Sequence, residues 1–100
     1  MPIWEYDDRH GSSGNHLRSL HAIAEPQRRE LLVLLKGRER PVAELVEALG
    51  CATPSASKHL RVLREAGLVQ VRQAGQQRLY TLDARGLRSI HEWVGGFEQF

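Results

Sequence analysis

The chain has 100 residues, 41% of them apolar and 26% charged, with a formal net charge of +2. These values suit a soluble globular chain of one domain and exclude a membrane helix, because the longest purely apolar run, residues 31–35, is far short of the ~20 residues a bilayer requires. Acidic residues where a leader would be basic and apolar, and a lone Cys51 that rules out an internal disulfide, set the expectation of a cytoplasmic protein.

Residues 1–15 mix tryptophan, acidic residues and the run GSSG, and read as a flexible arm ahead of a domain at 16–100. Asn15 is a candidate cap for a first helix over 16–25, in which Leu17, Leu20, Ile23 and Ala24 share a face. Pro26 suits the first position of a second helix, where the N–H it lacks would have no partner. Glu25 before it is a poor cap by type, although its charge suits the positive helix end. Leu31, Leu32, Leu34 and Leu35 bury this helix and Gly37 ends it. Residues 38–41 turn the chain. A third helix, VAELVEALG, has Val42, Leu45, Val46 and Leu49 inside, Glu44 and Glu47 outside, and stops at Gly50.

Three or four residues then lead into TPSASKHLRVLREAGLV, residues 53–69. Two short helices joined by a tight turn containing glycine make a helix-turn-helix. After Gly67 the period changes to alternation over 68–73 and 77–82, with Gly75 supplying the positive φ of a hairpin turn. Asp83 opens a last helix with Leu87, Ile90, Val94 and Phe97 at helical spacing and Trp93 and Phe100 on a second apolar edge. Gly95 and Gly96 inside it are expected to loosen or bend it. The expected fold is mainly α with a small hairpin, in the order ααααββα: a winged helix-turn-helix.

Positive charge is concentrated in one third of the chain. Residues 53–85 hold six Lys or Arg against two acidic residues, whereas the segments on either side are each net negative by one. An anionic polymer selects that distribution, and a solvated basic face also produces it.

Within the fourth helix Ala56, Leu60 and Leu63 form the inward stripe, with His59 at its margin. Pro54, Ser55, Lys58, Arg61 and Arg64 then point mostly outward, with Thr53 and Ser57 near the leading edge. A recognition helix enters the major groove N-terminus first, so short hydroxyl side chains there allow close approach to base edges or phosphates, while Lys58 and Arg61 neutralise phosphate or pair with guanine. Each residue also has a plainer use. Thr53 or Ala52 can cap the helix, Ser57 can bond back to its own turn, and Lys58 and Arg61 can be solvated charges. Arg64, followed by Glu65, reads as solvated surface rather than contact. On the wing, Arg72, Gln76 and Arg78 flank the turn, where an arginine can follow phosphates or enter the minor groove.

HAIAEPQRRELLVLL, VAELVEALG, TPSASKHLRVLREAGLV and GQQRLYTLD, in that order and spacing, resemble the ArsR/SmtB family of bacterial winged-helix repressors over residues 17–97. The resemblance implies a homodimer built mainly from the first and last helices, binding a palindromic double-stranded operator and repressing transcription. Leu17, Leu20, Trp93, Phe97 and Phe100 are the candidate interface residues, since one small core need not consume them all; the alternative is that they complete the monomer core.

The family's metal-site positions are altered. Its C-V-C pattern falls on Pro41-Val42-Ala43 and its Asp-x-His on Asp83-Ala84-Arg85, so the chain looks most like the branch without these motifs, and no metal or other cofactor is expected. Remaining histidines are scattered: His16 and His21 do not share a helix face, and His91 beside Glu92 suits a surface. Cys51 reads as a small buried hydrophobe, a redox switch being the sharper alternative. No nucleophile, base and orienting group assemble into a catalytic set, so an enzyme is not expected. The rival functions are a winged-helix module that binds another protein and a metal- or redox-responsive repressor with an unusual site.

Overall fold

The computed structural model describes residues 16–98. The arm at 1–15, the Asn15 cap and Phe100 lie outside these residues. The elements run α1 (His16–Ile23), α2 (Pro26–Leu34), β1 (Arg40–Pro41), α3 (Val42–Leu49), α4 (Thr53–Glu65), β2 (Val69–Ala74), β3 (Gln77–Leu82) and α5 (Ala84–Gly95). The expected winged helix-turn-helix is present, with one strand more than the sequence indicated.

That strand is β1. It pairs antiparallel with β3, Arg40 opposite Tyr80 and Pro41 opposite Leu79, so the sheet has three strands in the order β1-β3-β2. Two residues, one a proline, show no alternation to read. Pro41 is tolerated because β1 is an edge strand.

α1 stops at Ile23, two residues before its expected end, and Glu25 serves the next helix instead. Its carboxylate accepts a bond from the Arg28 backbone N–H at 3.0 Å, with Pro26 following at the start of α2. Glu25 is thus a working cap despite its type. The guanidinium groups of Arg28 and Arg29 turn back onto carbonyls at the C-terminal end of α1. Arg28 Nε donates to Ala22 O at 2.6 Å, and Arg29 donates to Ile23 O at 2.8 Å. Cations are favoured there because the last carbonyls lack helical partners and carry the negative dipole end.

Gly50 adopts φ 70° in the turn between α3 and α4, a conformation that side-chain-bearing residues rarely take. In the hairpin, Gly75 has φ 63° while Gln76 remains at negative φ, the pattern of a type II′ turn.

The core is one cluster fed by every layer: Ala22 from α1, Leu31 and Leu35 at α2, Leu45 from α3, Leu60 and Leu63 from α4, then Leu68, Val69 and Tyr80 from the sheet side. Ala56, Leu60 and Leu63 are fully buried, which fixes the rotation of α4 and therefore what it shows to solvent. α1 and α5 pack against each other.

α5 begins as expected. Asp83 is its N-cap and accepts from the Arg85 backbone N–H at 3.0 Å. The glycine pair ends the helix rather than bending it: α5 stops at Gly95 with Gly96 as its C-cap, and Phe97, expected at helical spacing, lies beyond. None of the described helices is long and apolar enough to cross a membrane.

Candidate nucleic-acid interface

Once Ala56, Leu60 and Leu63 are buried, the 3.6-residue period turns Pro54, Ser57, Lys58, Arg61 and Arg64 toward an open cleft. Val42, Arg78 and Tyr80 complete its walls, and its volume is about 520 Å³. The recognition helix forms one side and the wing the other. Arg64, which its sequence context suggests is solvated surface, stands in this wall beside Lys58 and Arg61. Its spacing from Ser57 and Arg61 held that signal.

Four cations therefore face one concavity: Lys58, Arg61, Arg64 and Arg78. Among the described residues Arg61 has an acidic neighbour, Glu65 at 3.4 Å, with both side chains more than 60% exposed. A pair so wet contributes little and is readily exchanged for another anion. The Arg78 guanidinium carbon lies 6.0 Å from the centre of the buried Tyr80 ring, an edge-of-range cation–π contact that aims the charge into the cleft.

The start of α4 adds to this field. Its N-cap is Ala52, which makes no side-chain cap bond, and Thr53 is the first helical residue rather than the cap. The first-turn N–H groups are left to outside acceptors, at the positive end of the helix dipole. Thr53 and Ser55 are exposed on that turn but do not line the cleft, and Gln76 is exposed at the hairpin tip.

The wing arginines part company. Strand register puts Gln73, Arg78, Val71 and Tyr80 on the face toward α4, and Arg72 with Leu79 on the opposite face. Arg72 is engaged there by Glu39, Nε to Oε2 at 2.7 Å and a second nitrogen to Oε1 at 2.8 Å. The structure thus gathers Pro54, Ser57, Lys58, Arg61 and Arg78 in one cleft and sets Arg72 apart.

Beneath the cleft, His59 links α4 to α2. Its Nδ1 lies 3.4 Å from an Arg28 guanidinium nitrogen, which can only donate, so Nε2 carries the hydrogen that faces Gln27 Oε1 at 3.0 Å. Arg28 in the same pose holds the end of α1, which locks the recognition helix to the helix pair behind it.

Outside the cleft lining, Leu17 is 42%, Val94 45% and Phe97 57% exposed, while Leu20 and Trp93 are half-buried. Trp93 and Phe97 meet edge to face with ring centres 5.1 Å apart. Four of the candidate interface residues are thus described: Leu17 and Leu20 on α1, Trp93 on α5 and Phe97 just past it, α1 and α5 being packed neighbours.

Among the described residues, no three His, Cys, Asp or Glu side chains converge as a metal site. At the position where the resemblance expected a ligand, Asp83 is 4% exposed and engaged by Arg85 at 2.7 Å and by Gln70 at 3.2 Å. Those bonds, Arg85's side chain foremost, hold its carboxyl at about 2 despite the opposing cost of burial.

The sequence profile described as "Bacterial regulatory protein, arsR family" matches residues 25–71, from the cap of α2 into the first half of the wing. Transcriptional repressor SdpR of Bacillus subtilis is 33% identical over 76 residues, spanning 76% of this chain and 84% of that protein. The chain belongs to the ArsR family of bacterial regulatory proteins. It is a transcriptional regulator with a winged helix-turn-helix DNA-binding domain. A crystal structure of a "possible transcriptional regulator for arsenical resistance" superposes with a TM-score of 0.74 at 40% identity, covering 79% of this chain and 82% of its own. The solution structure of a homodimeric winged helix-turn-helix DNA-binding domain from Mycobacterium bovis gives 0.69 at 27% identity, covering 85% and 80%.

Proposed function

We propose that this ArsR-family protein acts as a homodimeric repressor on a palindromic operator, through the cleft between α4 and the wing. The observation that carries the reading is the set of four cations, Lys58, Arg61, Arg64 and Arg78, turned toward one concavity beside the uncapped start of α4. In this docking α4 enters the major groove by its N-terminus. Thr53, Ser55 and Ser57 approach base edges or phosphates, Lys58 and Arg61 take phosphate or guanine, and Arg78 and Gln76 follow the backbone from the wing.

The dimer supplies the palindrome. Exposed Leu17 and Phe97, with Trp93 and Leu20 beside them, offer an apolar surface on the α1 and α5 side, away from the cleft, and a second copy is the occupant we assign to it. The homodimeric state of the M. bovis relative and the repressor role of SdpR support this reading. The protein works in the cytoplasm, without catalysis and without a metal ligand, the commitment of Asp83 to Arg85 being the observation that favours metal independence.

The test is selection of genomic fragments on the purified protein. Enrichment of a discrete inverted repeat, lost in Lys58→Ala and Arg61→Ala, is expected. Retention of fragments without a common site, equally by both variants, would refute the docking.

A further inference from the structure

Arg72 is paired on the side of the sheet away from the cations, which raises the question of what it does there. Glu39 stands directly before β1, and β1 leads without a gap into α3, the first helix of the helix-turn-helix. Arg72 lies on β2, the opposite edge strand, with β3 between them. The bidentate pair therefore reaches over β3 and joins the two edges of the sheet on one face. A second cluster fixes the same corner. Arg40 Nε donates to Leu34 O at 2.5 Å, and Arg38 and Arg40 both reach Glu44 on α3, at 2.8 and 3.3 Å. The base of the wing is thus anchored to α2 and α3, and the Glu39–Arg72 pair carries that anchorage across to the outer strand.

Resting on the duplex-binding reading above, we infer that Arg72 is a positioning residue: with Glu39 it staples the wing to the helix-turn-helix, and it acts on DNA through the placement of Arg78. The arginine bonds also hold the Glu39 carboxyl below the usual carboxylate range, so the pair stays ionised across the neutral and mildly acidic range.

The direct-contact alternative makes the opposite forecast for Glu39. If Arg72 touches phosphate, Glu39→Ala frees a cation and removes an anion, so affinity rises. If Arg72 is a staple, Glu39→Ala loosens the wing and affinity falls. The probe is a labelled duplex selected from genomic fragments on the wild-type protein. Glu39→Ala and Arg72→Ala should each weaken its binding about two- to fivefold, the scale of an exposed pair. The charge-swapped double variant Glu39→Arg with Arg72→Glu should return to near wild-type affinity. Arg72→Ala added to Arg78→Ala should weaken binding no further. Tighter or unchanged binding by Glu39→Ala, or a swap as weak as Arg72→Ala, would overturn the staple while leaving duplex binding intact.

A DNA-free readout separates the two readings. Amide hydrogen exchange at residues 73–78 of the free protein should quicken in Glu39→Ala and recover in the swap. Exchange that does not change in Glu39→Ala contradicts the staple whether or not any duplex binds.

Discussion

The first turn of α5 sits on the glycine turn that ends the recognition helix: Gly86 donates its backbone N–H to Gly67 O at 3.0 Å, and nothing larger than a hydrogen fits between them. A Cβ at Gly86 would stand 2.6 Å from that oxygen and 2.9 Å from the Gly67 carbonyl carbon. Asp83 N–H donates to Leu68 O at 2.8 Å one turn earlier, so α5 is docked by backbone onto the segment joining α4 to the wing.

Gly86→Ala should therefore destabilise the domain by about 1–3 kcal/mol, because the Gly67 backbone atoms cannot swing aside and the third clashing atom, Leu68 Cδ2 at 2.8 Å, belongs to a fully buried side chain. Gly95→Ala, with open space around the new methyl, should be neutral or slightly stabilising. Denaturant melts of the two variants check this. Equal midpoints would show that α5 can lift without cost.

Lys58→Ala and Arg61→Ala should each weaken duplex binding about tenfold while leaving the thermal midpoint nearly unchanged, because both side chains are exposed and serve no core contact. Titration of a labelled operator and a thermal melt on the same samples separate affinity from folding. Full affinity in both variants contradicts the placement of α4.

Acid should act through Asp83. Its carboxyl has a pKa of about 2 when folded against 3.8 for an unperturbed aspartate, so the folded state favours the ionised form. The contribution, roughly 2 kcal/mol, is complete above roughly pH 4 and is lost as pH falls through about 2. Arg85→Ala, which removes the main cause of the shift, should flatten the fall in stability across that window. Chemical melts at stepped pH show whether it does; an unchanged profile would mean that other carboxylates dominate.

Trp93→Ala should move sedimentation toward monomer, as should Leu17→Asp on the helix packed beside it. A fully dimeric sample of both variants would place the pairing surface elsewhere.

Much of this was legible in the chain because burial writes a period. Ala56, Leu60 and Leu63 recur at helical spacing, so their burial and the outward turn of Lys58 and Arg61 followed together. Alternation across the hairpin likewise gave the wing, although not which face each arginine would take. That depends on register and on Glu39, which lies 33 residues from Arg72 and has no local signature of its partner. β1 was invisible because two residues hold no period, and Gly86 because a close backbone approach leaves only a glycine among ordinary helix formers. Arg64 was readable from its spacing to Ser57 and Arg61, but a neighbouring Glu65 is equally the mark of a solvated helix face.

Salt dependence of operator binding probes the central claim most directly. If the four cleft cations of each protomer in a dimer meet phosphate, log affinity should fall with log salt at a slope of about −7. Affinity should then drop by three orders of magnitude or more between about 50 and 200 mM salt. A response that is nearly flat over that range would contradict DNA docking through the cleft and would instead favour a protein partner on the same face.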